Sequence, residues 1–163
     1  MLGCLPADMF IDQLMHYYQL PYYIGYLSAA QYYGAAHQKP QRFQVVTLKN
    51  RRPIRCGRTH IEFIANKQLR RCQTKSFNTA TGSLIVASQE TLAIDLATAP
   101  QHAAGIDNVA TILIELAESI QPSLLIEMAK KSNTTFWIQR LGYLFDILEQ
   151  ELLVLVLLLV LVF

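Results

Sequence analysis

Cysteine is scarce in this chain of 163 residues, and its three copies do not pair by spacing. Cys4, Cys56 and Cys72 are far apart and form no Cys-x-x-Cys. That argues against a disulfide framework or a zinc site and predicts reduced thiols in a cytoplasm. The four histidines, His16, His37, His60 and His102, share no His-x-x-x-His or Cys/His spacing, so no metal is expected. The seven glycines are scattered singly, which excludes a glycine-rich phosphate loop, and no other cofactor is expected either. The N-terminus has no charged segment followed by an apolar run, so no signal peptide is expected.

What is abundant is apolar. Hydrophobic residues make up 52% of the chain, with eight Tyr and seven Phe, a composition that argues against disorder. The length suits one domain with a real core. A net charge of +2 conceals an uneven distribution. Eleven of the fourteen Lys and Arg residues lie between Lys39 and Lys75, where Glu62 is the only acid. The rest of the chain is acidic. Such a segment either forms a solvated basic face or attracts polyanions or an acidic partner.

Residues 7–19 carry apolar side chains at helical spacing between Pro6 and Pro21, and YLSAAQYYG reads as a short second helix closed by Gly34. The period then changes. Residues 42–48, 58–66, 74–78 and 82–88 read as strands separated by the KNRRPIRCG and ATG turns, which predicts an antiparallel meander. From Ser88, a plausible N-cap, the chain reads as helical over 89–99, 108–120, 122–131 and 135–149. The expected class is therefore α+β: two N-terminal helices, a small, mainly antiparallel basic sheet, then a cluster of about four helices. Residues 5–149 form the expected domain. The tail, 150–163, ends in twelve consecutive apolar residues, LLVLVLLLVLVF. A membrane-spanning helix needs roughly 20, and no basic anchor follows, so the reading is a non-native or truncated end rather than a membrane segment.

Catalytic candidates are few. His37 has no Cys, Asp or Glu within five residues on either side, so a bond to local backbone is the expected role. Glu62 on a strand, with Lys67 after it, invites a metal-dependent nuclease reading. That arrangement wants a lysine two residues beyond the acid, and Ile64 stands there. No catalytic residue is assigned.

The stretches YYIGYLSAAQYYGAAHQKPQRFQVVT, RPIRCGRTHIEFI, SQETLAIDL, GIDNVATILIELAE and IQRLGYLFDIL, in this order, resemble the C-terminal antitoxin domain of AbiEi proteins. These belong to AbiE toxin–antitoxin systems, classed as type IV and active in abortive infection against phage. The most specific part is SAAxxxGAAHQxPQ, which makes Gly34, His37, Gln38 and Pro40 structural motif residues. The resemblance implies a bacterial, cytoplasmic regulator rather than an enzyme. Its expected partner is a nucleotidyltransferase-like toxin, antagonised without a stable complex. Family members join this domain to an N-terminal winged helix-turn-helix that binds the operon's promoter; this sequence opens directly on the C-terminal domain. Beside such a module, Arg42, Lys49, Arg51, Arg52, Arg55 and Arg58 would be placed to grip DNA phosphates.

Overall fold

The computed structural model describes residues 3–150 together with Val154, Leu158 and Leu161. A 3-10 turn at Ala7–Met9 leads into α1 (Ile11–Tyr17), then β1 (Tyr22–Ile24) and α2 (Tyr26–Tyr32). Five strands follow: β2 (Phe43–Thr47), β3 (Ile54–Cys56), β4 (Thr59–Ala65), β5 (Thr74–Thr79) and β6 (Gly82–Ala87). Four helices follow among the described residues up to 150: α3 (Gln89–Thr98), α4 (Ile106–Ala117), α5 (Pro122–Lys131) and α6 (Phe136–Ile147). Helices at both ends of a sheet make the class broadly α+β.

The sheet corrects the expected meander. Its six strands run in the order β3-β4-β2-β1-β6-β5, and it is mixed. Only β3–β4 and β5–β6 are the predicted kind of hairpin. β1 is antiparallel to β2 but parallel to β6, and β2 is parallel to β4. The parallel β2–β4 pair arises because the chain leaves β2 for the outer edge, forms β3 there, and turns back as β4 into the gap. β3 therefore lies inside the segment read as a turn.

β1 is three residues long, between Pro21 and Gly25, too short for an alternating pattern to register. Yet it sits near the middle of the sheet, where Tyr23 and Ile24 are fully buried. Gly25 is needed at its end, since a Cβ there would meet Val46 Cγ2 at 2.7 Å.

The predicted helical signals act as expected at several ends. Ser88 Oγ accepts from the Thr91 N–H at 3.2 Å and caps α3. Glu90, beside it, is buried, and its carboxylate accepts from the Gln121 N–H at 2.8 Å, tying the start of α5 to α3. Arg140 on α6 donates to Ala97 O at 2.9 Å at the carbonyl end of α3. α3 thus forms the centre of the helical cluster, and its Leu92, Ala93, Leu96 and Ala97 are completely buried.

The cysteine expectation is overturned. Cys4 and Cys56 are joined as a disulfide, with their Cα atoms 5.7 Å apart, and only Cys72 is free. Separation by 52 residues hid the pair, because it is β3 that brings Cys56 to the N-terminal segment. Thr59 Oγ1 donates to Leu5 O at 3.0 Å next to the bridge.

The apolar tail lies for the most part outside the described residues. Val154, Leu158 and Leu161 share a hollow with Ile138, Gly142 and Tyr143 of α6. Among the described residues, no helix is long and apolar enough to cross a membrane.

Candidate nucleic-acid interface and the adjoining cleft

α2 ends in a Schellman motif. Ala35 N donates to Ala30 O at 2.9 Å and Gly34 N to Gln31 O at 3.2 Å, with Gly34 at φ 71°. That left-handed residue turns the chain out of the helix and into the 35–42 loop. The loop walls a cleft of about 700 Å³, in which His37, Gln38 and Pro40 face Glu62, His102 and Asn108.

The cleft floor is Gln44, the first buried polar residue of β2. Its Oε1 accepts from Leu27 N at 2.9 Å and its Nε2 donates to His102 O at 2.8 Å. Ser28 Oγ accepts from Gln44 N at 2.9 Å, so one strand residue holds α2 and the 3-10 turn at Pro100–Ala103 together. The His102 ring also packs edge-on against Tyr26, with centroids 5.1 Å apart. Tyr26 opens α2 at φ 50°, a strained value for an aromatic residue, and burial in this contact holds it there.

His37 corrects one expectation. It is exposed at the cleft wall, and among the described residues its ring makes no hydrogen bond to local backbone.

The arginines separate into groups. Arg42 pairs with Glu62 at 3.6 Å, and Arg42, Arg51 and Arg55 surround one hollow of about 180 Å³ with His60 and Phe63. Arg51 stacks over the Tyr18 ring at 4.5 Å, which fixes its guanidinium against an aromatic face. Arg58 lines a separate hollow with Lys39 and Pro40. Lys49 and Arg52 are exposed on the connection from β2 to β3, and line neither hollow. The candidate phosphate-gripping set is therefore exposed apart from the half-buried Arg51 and lies along the β3 side of the sheet, but only three of its members converge. Among the described residues, no three His, Cys, Asp or Glu side chains gather closely enough to hold a metal ion.

The sequence pattern of the AbiEi antitoxin C-terminal domain family matches residues 23–147. The chain belongs to this family. The match begins within β1 and ends with α6, so it takes in all of the sheet but Tyr22, the 35–42 loop and α3 to α6. The fold of this AbiEi-family domain is also similar to the crystal structure of the RV2827C protein from Mycobacterium tuberculosis, with a TM-score of 0.58 at 18% identity. That likeness covers 86% of this chain and 53% of the other, so this chain spans about half the length of the protein it matches. At such identity the likeness speaks for the fold alone. A comparison with curated proteins gives no match.

The AbiEi-family domain also contains a polar centre that sequence reasoning missed. Tyr23 Oη donates to Asp95 Oδ2 at 2.9 Å and accepts from Asn66 Nδ2 at 3.1 Å, while Cys72 Sγ lies 3.8 Å from the same hydroxyl. Burial pushes the Asp95 carboxyl up to about 7, against the opposing effect of the Tyr23 hydrogen bond. Burial, then the Asp95 charge, pushes the Cys72 thiol up to about 11, so Cys72 is a poor nucleophile. The available signal was Asp95 itself, an acid on the face of QETLAIDLATA otherwise occupied by core residues.

Proposed function

We propose that this AbiEi-family domain is an antitoxin that counteracts a nucleotidyltransferase-like toxin, without holding it in a stable complex. It acts in a bacterial cytoplasm, where the adjacent Cys4 and Cys56 are held as thiols, as part of a type IV system that aborts phage infection, and it performs no catalytic step of its own. The observation that carries this reading is the family match, which spans the domain from β1 to α6. The test is co-expression with an AbiE-type nucleotidyltransferase toxin. Restored growth is the expected outcome; a folded, soluble domain that leaves growth arrested overturns the reading. Co-elution of the two proteins on gel filtration overturns the claim that no stable complex forms.

A second reading is supported by the convergence of Arg42, Arg51 and Arg55: the basic edge binds nucleic acid through its phosphates. Binding to duplex DNA is then expected to weaken steeply with salt, because each neutralised phosphate releases counterions. Replacing Arg55 by Ala should lower the slope of log affinity against log salt by about 1, regardless of DNA sequence. Binding that is insensitive to salt, or absent at low salt, rules this reading out.

A further inference from the structure

A second cleft, of about 410 Å³, shares His102 with the cleft walled by the family-motif loop. Its walls come from the end of β4, the 3-10 turn at Leu69–Arg71, α3 and the connection between α5 and α6. Three kinds of surface are layered within it. Asp95 lines the interior, and it is only 6% exposed. One of its oxygens, Oδ2, accepts from Tyr23, while Oδ1 takes no hydrogen bond among the described residues. Ile64, Ile94 and Trp137 supply apolar wall. Lys67 and Arg71 are exposed at the rim, and neither has an acidic partner within ion-pair distance among the described residues.

We propose that this cleft binds a nucleoside phosphate. The unpaired Lys67 and Arg71 take the phosphates, the apolar wall takes the sugar and base, and Asp95 Oδ1 hydrogen-bonds an N–H group on the far edge of the base. The chemistry selects this class over simpler ligands. A bare anion satisfies the rim and leaves Asp95 Oδ1, which is open to the cleft, unused, whereas an apolar ligand satisfies the wall and leaves both cations unused. A base edge carries N–H donors at one end of a flat body, with the charged group at the other, which matches the order of the three layers. The volume lies within the range of small-ligand sites, roughly 300–1,000 Å³. A carboxyl pushed by burial up to about 7 can also donate, so it can serve bases of either polarity at that edge. The inference stands apart from the antitoxin reading, and the cleft shares no lining residue with the hollow between Arg42, Arg51 and Arg55.

Trp137 is the sole tryptophan of the chain and reports directly on this wall. The whole chain is titrated with ATP, GTP, CTP and UTP, and with pyrophosphate as the anion alone, following Trp137 fluorescence and calorimetric heat. At least one nucleotide should saturate the site and bind about tenfold or more tightly than pyrophosphate. The Lys67→Ala/Arg71→Ala double variant alters only exposed side chains and should weaken that nucleotide by about tenfold or more. Asp95→Asn keeps an acceptor for Tyr23, and should change the order of preference among the four bases while leaving pyrophosphate unaffected. Absence of saturable binding for all four nucleotides overturns the proposal. So does pyrophosphate binding as tightly as any nucleotide, or a double variant that binds like the wild type. If Asp95→Asn does not fold, the rim variant and the pyrophosphate comparison still decide the matter.

Discussion

Tyr23 Oη donates to Asp95 Oδ2 at 2.9 Å, joining β1 to α3 across 72 positions of the chain. Its neighbour Tyr22 donates at 2.6 Å to Asp12 of α1, on the other side of the sheet, as the alternation of a strand requires. Tyr22 and Tyr23 are thus two struts, one to each helical layer. Tyr23→Phe keeps the ring and removes the donor, leaving a buried carboxyl without its partner. A loss of about 1–3 kcal/mol in urea unfolding is expected.

Asp95 makes stability depend on pH in an unusual direction. Its folded-state value, about 7, lies above the ordinary 3.8 because the group is buried. Between those values the folded chain holds a proton that the unfolded chain has released. The contribution of Asp95 is therefore fully present below about 4, declines as pH rises, and is lost above about 7. The slope cannot exceed about 1.4 kcal/mol per pH unit for one proton. Urea midpoints measured from about pH 5 to about pH 8 should fall for the wild type by more than for Asp95→Asn. Equal slopes in the two proteins would contradict the buried, protonated carboxyl.

Two glycines separate strain from collision. Nothing lies within 4 Å of a Cβ added at Gly34, so Gly34→Ala suffers only its left-handed backbone, at about 1–2 kcal/mol. Gly25 has an extended φ of −125°, yet Ala there runs into Val46 at 2.7 Å in the fully buried interior. Thermal unfolding should show Gly25→Ala as the more damaging of the two. Gly34→Asn should recover part of the loss at Gly34, since Asn tolerates the left-handed region, whereas no such recovery is expected at Gly25.

The disulfide makes a conditional prediction. Closing a span of 52 residues restricts the unfolded chain by about 4 kcal/mol in the loop-entropy account. Cys4→Ser should be less stable than the wild type under oxidising conditions, by up to that amount. In excess reductant, the two proteins should unfold at nearly the same denaturant concentration. A difference that persists in reductant would assign the effect to packing of the N-terminal segment instead.

The helices were legible in the sequence wherever a local rule specified them. Val109, Ile112, Leu113 and Leu116 recur at helical spacing and are all buried in α4. Ser88 and Gly34 mark helix ends through bonds made within a few residues. The basic segment could likewise be read directly, because charge is a property of composition, and the 35–42 stretch could be read from its resemblance to the family. These features need no partner distant in the chain.

The remainder depended on contacts between distant segments, which periodicity does not encode. β1 has only three residues, and its central place depends on β2 and β6 closing on either side. The parallel β2–β4 pair, the Cys4–Cys56 bridge and the convergence of Arg42, Arg51 and Arg55 all follow from β3 taking the outer edge. The environment of Asp95 was decided in the same way. In sequence it is one acid on a helix; only the packing of α3 against β1 removes it from water and hands it to Tyr23. Local pattern thus determined which residues form helices and which segment is basic, while non-local strand pairing decided which side chains meet.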